Sequence, residues 1–108
     1  MKVVKKPAKP PKRIPARPKA WRDVLRRLIS KVPEVDAIYV SAHGTYVHVY
    51  SVIEDFDEDV CTRLFKQEAL FEKLFPRHYF EFHTRVHRGK KPTGKEQYTS
   101  ELVFLRDE

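Results

Sequence analysis

Apolar residues recur along the chain with two different periods, and each period predicts one kind of element. A period of three to four residues, which buries one stripe of a helix, runs through 20–32 and 57–75. An alternation of apolar and polar residues, which buries one face of a strand, runs through 36–53, 79–87 and 101–105. The sequence therefore predicts the order α-β-β-α-β-β, with 36–53 forming two strands.

The segment 36–53 carries a turn signal at His43-Gly44, because glycine accepts the positive φ that a two-residue hairpin turn requires. A turn at these residues pairs Ala42 with Thr45. The pairing places apolar residues on one face of the hairpin and polar or aromatic residues on the other. On the apolar face, Val40 lies opposite Val47 and Ile38 opposite Val49; on the polar face, Ser41 lies opposite Tyr46 and Tyr39 opposite His48.

The longer helix is predicted to be capped by the carboxylate of Asp55, with Glu58 three residues later. It ends before Pro76. These elements favour an α+β two-layer sandwich, in which one long helix over 57–75 packs on a mainly antiparallel sheet. We expect the helix that contains Trp21 at a sheet edge or on the other face. The predicted core consists of Ile38, Val40, Val47, Val49, Leu64, Phe71, Phe80, Phe82 and Val86.

Length and composition restrict the class of protein. A chain of 108 residues with 41% hydrophobic content fits one domain. It has no apolar run long enough to cross a bilayer and no signal-peptide pattern, so we expect a cytoplasmic protein without a transmembrane segment. The single Cys61 excludes an internal disulfide, in agreement with a reducing compartment.

The positive charge is concentrated at the N-terminus. Nine of the 22 basic residues and none of the 15 acidic residues lie in 1–22, so this segment carries +9 and the remainder −2. Five of the eight prolines lie in 5–18, and proline disfavours regular structure. We therefore expect a disordered basic tail at 1–19, followed by a single α+β domain at 20–108.

The basic tail and the polar face of the sheet are the two candidate surfaces for nucleic acid. Unopposed lysines and arginines attract RNA or DNA through counterion release, without sequence preference. Tyrosines beside positive charge give a face on which unpaired bases stack. The alternative for that face is burial under the first helix or under a second copy of the protein. The candidate nucleic-acid contacts are Lys5, Lys6, Lys9, Lys12, Arg13, Arg17, Lys19, Tyr39, Tyr50, Arg85, Lys90 and Lys91.

Histidines are the candidate metal ligands, because imidazole binds zinc and titrates near neutrality. His48, His83 and His87 share the polar face of the predicted sheet. His83 and His87 lie about 13 Å apart on one strand, so they cannot bind one ion together. Only His48 with one of these two, or with Glu81, fits a shared site.

Two other stretches match ligand-binding motifs only in part. Residues 89–95 have the spacing G-x-x-x-x-G-K of a phosphate-binding loop, but Glu96 stands where a Ser or Thr would hold magnesium. The acidic run 54–59 lacks the alternating oxygen ligands and the turn glycine of a calcium loop. The sequence therefore carries no recognisable catalytic pattern, and we expect no cofactor.

Four short motifs stand out along the domain: V-P-x-V at 32–35, H-V-Y-S-V-I-E-D at 48–55, F-P-x-x-x-F-E-F-H at 75–83 and R-G at 88–89. Together they resemble a group of short bacterial proteins of unknown function. The matching positions are core and turn residues, so the resemblance implies a fold and no catalytic residue. The start of the domain is also similar to minimal nucleotidyltransferases. Their catalytic Gly-Ser and paired aspartates have no counterpart here, which implies an inactive relative.

These observations favour a non-enzymatic accessory or regulatory protein over an enzyme. In this hypothesis the tail associates with nucleic acid without specificity, and the sheet face of the domain binds a protein partner or a second copy of the protein. The alternatives are a histidine-based metal or hydrolytic protein, or an inactive nucleotidyltransferase-like relative.

Overall fold

Two helices and four strands form the part of the chain that the structure, a computed structural model, describes: residues 18–95 and 100–107. The elements follow in the order α1 (Pro18–Ile29), β1 (Val35–His43), β2 (Tyr46–Ile53), α2 (Glu58–Leu74), β3 (Tyr79–Val86) and β4 (Glu101–Leu105). The predicted α+β class is confirmed. The expected tail, up to residue 17, lies outside the described residues.

The four strands form one mixed sheet in the order β3-β2-β1-β4. β1 runs antiparallel to both of its neighbours, β2 and β4, whereas β2 and β3 are parallel. A parallel pair requires a crossover connection, and α2 provides it between the end of β2 and the start of β3. β4 lies at one edge of the sheet and β3 lies at the other.

Both helices pack against the same face of the sheet. Trp21, Leu25 and Ile29 of α1 belong to one buried core with Leu64 and Phe71 of α2. The expectation of a single covering helix, with the Trp21 helix at an edge or on the other face, is therefore wrong. The reason is that most apolar residues of β1 and β2 project to one face, so that face offers α1 the larger apolar surface.

The predicted core is confirmed for the central strands and for α2. Phe82 is only partly buried and Val86 is 37% exposed; both lie on β3, an edge strand of the described sheet. The predicted core residues that are buried are Ile38, Val40, Val47, Val49, Leu64, Phe71 and Phe80.

The turn between β1 and β2 lies one residue later than predicted. Gly44 and Thr45 form it, so His43 pairs with Tyr46. Gly44 has a φ of +64° and Thr45 has no positive φ, which is the pattern of a type II′ turn with glycine first. Because the pairing differs from the predicted one by two residues, every residue keeps its predicted face.

The cap of α2 also differs from the predicted one. The Asp57 carboxylate, rather than that of Asp55, accepts hydrogen bonds from the N–H groups of Asp59 at 2.9 Å and of Val60 at 3.2 Å. Asp55 instead accepts a hydrogen bond from the N–H of Phe56, the next residue. A cap at Asp57 starts the helix at Glu58.

α1 begins at Pro18, two residues before the predicted start. Proline fits the first helical turn, where its missing N–H would have no intrahelical acceptor. Lys19, which the sequence assigns to the tail, therefore lies in the helix. After α1 ends, the Arg106 guanidinium donates hydrogen bonds to the carbonyl oxygens of Ser30 at 3.0 Å and Val32 at 3.3 Å. These bonds anchor the end of the chain to the end of α1.

The sheet face away from the helices is called the open face. Within the described residues, Ala37, Tyr39 and Val52 form a second, smaller buried cluster on this face, and it includes no residue of either helix. No helix within residues 18–95 and 100–107 has the length and apolar character that a bilayer crossing requires. Strand alternation and register place on the open face Tyr39, Ser41 and His43 of β1, Tyr46, His48 and Tyr50 of β2, and Tyr79, Glu81, His83 and Arg85 of β3.

Candidate metal centre

Three side chains with metal-ligand atoms come together on the open face. β2 and β3 run parallel in a register that sets His48 beside Glu81 and Tyr50 beside His83. Residues two apart in a strand share a face, so His48, Glu81 and His83 project from the same side of two adjacent strands. We call these three residues the His-Glu-His cluster.

The cluster has the dimensions of a small metal site. His48 Nδ1 lies 3.1 Å from His83 Nε2, and His83 Nε2 lies 3.5 Å from Glu81 Oε2. One ligand atom from each residue lies within 4.8 Å of the other two. When ligand atoms lie about 2.1 Å from a tetrahedral ion, neighbouring ligand atoms are about 3.4 Å apart. The separations of 3.1 Å between His48 Nδ1 and His83 Nε2 and of 3.5 Å between His83 Nε2 and Glu81 Oε2 are close to that distance.

Tyr46 orients the carboxylate of the cluster. Its hydroxyl donates a hydrogen bond to Glu81 Oε1, while Oε2 faces His83. This hydrogen bond lowers the pKa of the Glu81 carboxyl and raises the pKa of the Tyr46 phenol. The carboxylate is thus held in its ionised form, which is the form that binds a metal ion.

Aromatic rings surround the cluster and stack across the two strands. Tyr50 stacks on His83 with ring centroids 4.8 Å apart, and His48 stacks on His83 at 5.3 Å. Tyr46 stacks on Tyr79 at 5.1 Å. These separations are close to the distance between neighbouring strands, so the rings stand upright on the sheet and turn their faces toward one another.

The third candidate histidine, His87, is not part of the cluster. Its Nε2 lies 2.7 Å from Asp36 Oδ2, and its side chain is only 4% exposed. The sequence argument that His83 and His87 cannot share one ion agrees with this arrangement, in which only His83 faces His48.

Those candidate nucleic-acid contacts whose side chains the structure describes do not form one accessible surface. Tyr39 is 1% exposed, so its ring is not available to a base. Tyr50 already stacks on His83 and carries the Arg85 guanidinium 5.2 Å from its ring centroid. Lys90 and Lys91 are exposed in the loop after β3. Lys5, Lys6, Lys9, Lys12, Arg13 and Arg17 lie outside the described residues, and of Lys19 only the helical backbone is described.

The sequence pattern identifies the cluster only in part. It pairs His48 with His83, His87 or Glu81 as alternatives, and it gives no role to Tyr46. The missing signal is the register between β2 and β3, which sets which alternating residues become neighbours across the strands. Once the two strands are known to be parallel, adjacent and paired in this register, the alternation places all four side chains together.

Comparisons of the chain with protein-family models, with curated proteins and with solved structures find no match. No residue role is therefore transferred from another protein. The chemistry of the site follows from its own distances, charges and hydrogen bonds.

Proposed function

We propose that the protein binds a transition-metal dication of the zinc class through His48, Glu81 and His83. The observation that carries this proposal is the convergence of their ligand atoms, with separations of 3.1 Å and 3.5 Å. Two imidazoles and one carboxylate form a donor set that suits Zn²⁺. Mg²⁺ and Ca²⁺ prefer sites built from oxygen ligands, so we expect this cluster to bind them far more weakly.

Three protein ligands leave one position of a tetrahedral ion open. The side chains of His83 and Glu81 are 26% and 41% exposed, so this position faces solvent. Structural zinc sites are usually closed by four protein ligands, whereas three-ligand sites keep a position for water or another ligand. We therefore propose an exchangeable site rather than a structural one.

Metal binding at this site displaces a proton. His48 Nδ1 and His83 Nε2 form a hydrogen bond only when one nitrogen is protonated and the other is not. An ion that binds both nitrogens takes the place of that proton, and Glu81 supplies the negative charge that partly neutralises the ion.

The upright rings favour this function over a base-stacking platform. A base stacks on an exposed ring face. The faces of His83 and Tyr50 are turned toward each other at 4.8 Å, so a base would have to separate them. A metal ion instead uses the ring nitrogens, and His48 Nδ1 and His83 Nε2 already lie 3.1 Å apart.

Nucleic-acid association through the basic N-terminal segment is a separate proposal, supported by the segregation of charge in the sequence. We expect the full chain to bind RNA and DNA without sequence preference, and the affinity to fall steeply with salt. A chain that begins at Lys19 is the matched comparison. Equal affinity of the two proteins across a salt series would contradict the proposal.

The metal proposal is tested by titrating the purified protein with Co²⁺, which reports its coordination through visible absorption, and then displacing it with Zn²⁺. We expect saturable binding of one ion per chain, and loss of this binding in His83→Ala. The matched control is His43→Ala, which removes an exposed histidine at the C-terminal end of β1. Because His43 Nε2 is hydrogen-bonded to Ser41 Oγ rather than to a member of the cluster, its loss should leave the titration unchanged.

Absence of saturable binding in the unaltered protein would overturn the proposal. Equal binding by His83→Ala and the unaltered protein would also overturn it, because the ion would then lie elsewhere. Circular dichroism of each variant confirms that the comparison is made between folded proteins.

A further inference from the structure

We infer that a metal ion in the His-Glu-His cluster and the guanidinium of Arg85 together bind a tetrahedral oxyanion of the phosphate-monoester class; this inference rests on the proposed metal site. Arg85 follows His83 by two residues on β3, so both side chains project from the open face. Residues two apart on a strand lie about 6.7 Å from each other. An anion with one oxygen on the ion and another on the guanidinium bridges such a distance.

The Arg85 guanidinium is positioned by an aromatic ring rather than by a carboxylate. Its Cζ lies 5.2 Å from the centroid of the Tyr50 ring, and Tyr50 in turn stacks on His83 at 4.8 Å. Within the described parts of the chain, no Asp or Glu forms an ion pair with Arg85. Contact with a ring uses the face of a guanidinium and leaves its N–H edge available for the paired hydrogen bonds that phosphate oxygens accept.

The charges indicate which anion fits best. A dication with two neutral imidazoles and the carboxylate of Glu81 carries a net charge of +1, and Arg85 adds another +1. A phosphate monoester near neutral pH carries close to two negative charges, whereas a phosphodiester carries one. The pair of positive centres therefore matches a terminal phosphoryl group better than the backbone of a nucleic acid.

The test uses the full chain loaded with Co²⁺, with inorganic phosphate as the monoester-class probe and dimethyl phosphate as the diester probe. The binding of Co²⁺ is first verified for each protein. We expect phosphate to change the visible spectrum of the bound Co²⁺ at concentrations where dimethyl phosphate does not. In Arg85→Gln the apparent Kd for phosphate should rise about tenfold. The matched control is Lys90→Gln, which removes one positive charge from the following loop and should leave the affinity unchanged.

A Co²⁺-loaded protein whose spectrum does not respond to phosphate would overturn the inference while leaving the metal site intact. An equal loss of affinity in Arg85→Gln and Lys90→Gln would overturn it too, because the attraction would then be general rather than local. Equal responses to phosphate and dimethyl phosphate would contradict the preference for a dianion. Failure of the unaltered protein to bind Co²⁺ would instead overturn the proposed function itself.

Discussion

His87 Nε2 lies 2.7 Å from Asp36 Oδ2 and thereby joins the end of β3 to the start of β1, with β2 between them. Both side chains are largely withdrawn from solvent, at 4% and 16% exposure. Within the described residues, the other ring nitrogen of His87 is buried without a hydrogen-bond partner. The pair therefore satisfies a buried polar group at one end of the sheet and takes no part in the His-Glu-His cluster.

Asp36→Ala should destabilise the fold by about 1 to 3 kcal/mol, because it leaves His87 Nε2 buried without its partner. Urea denaturation measures this change as a lower midpoint with an unchanged slope. The control is Glu54→Ala at the same end of the sheet, an exposed side chain whose removal should change the stability by less than about 0.5 kcal/mol. Loss of Co²⁺ binding in folded Asp36→Ala would contradict the separation of the pair from the cluster.

Tyr46→Phe should weaken metal binding without abolishing it. The substitution removes the hydroxyl that holds Glu81 Oε1 but keeps the ring that stacks on Tyr79. We expect the apparent Kd for Co²⁺ to rise about tenfold, as when other groups that orient a metal ligand are removed. Tyr79→Phe is the matched control and should bind Co²⁺ like the unaltered protein. Equal weakening in both variants would show that the loss of any hydroxyl from this face, rather than of the hydrogen bond to Glu81, is responsible.

Glu68 is a buried carboxyl on the core-facing side of α2, with 6% exposure, and it lies on the same stripe as Leu64 and Phe71. Burial, together with the nearby charge of Glu72, raises the pKa of Glu68 to about 7 from an ordinary 4.5. The folded protein thus holds this proton more tightly than the unfolded chain. The stabilisation is complete below pH 4.5 and is lost as the pH rises through 7.

Glu68→Gln cannot ionise, so we expect it to exceed the unaltered protein in stability by about 3 kcal/mol at pH 8 and to equal it near pH 4.5. Urea denaturation at the two pH values measures the difference. Lys66→Gln, at an exposed position of the same helix, should show less than about 0.5 kcal/mol of change at either pH. A difference for Glu68→Gln that does not vary with pH would show that packing, rather than ionisation, is responsible.

Gly44→Ala should destabilise the hairpin by about 1 kcal/mol, because Gly44 has a φ of +64°, which costs an L side chain roughly that amount. A Cβ added at this position meets no atom within 4 Å, so the loss arises from the backbone conformation alone. Thr45→Ala in the same turn is the control. A neutral result for Gly44→Ala in thermal unfolding would contradict the assigned turn.

The individual helices and strands follow from the sequence because each depends on the spacing of apolar residues within that one element. Alternation in β1 and β2 gives the correct faces even though the turn lies at Gly44-Thr45 instead of His43-Gly44, since moving a two-residue turn by one position changes the pairing by two residues. The position of α1 does not follow in this way. Its apolar stripe requires a partner surface but does not specify which face of the sheet supplies it.

The cluster depends on a relationship that no local period contains. Alternation shows that Glu81 and His83 share a face of β3, but it does not show which strand lies beside them. The connection between the strands indicates that they are parallel, because a helix of 17 residues spans a parallel pair and is too long for a hairpin. When the register of this pair is also known, His48, Glu81 and His83 become neighbours, and His87 does not.

The crossover through α2 gives the proposed ion a mechanical role. The two histidines are separated by 35 positions in the chain and sit on strands that no short turn connects. An ion held by both would close a loop that contains α2 and would oppose the separation of β3 from β2 at the sheet edge. Because the unfolded chain does not hold the two histidines together, free metal ion at a hundred times its Kd would raise the free energy of unfolding by about 2.7 kcal/mol.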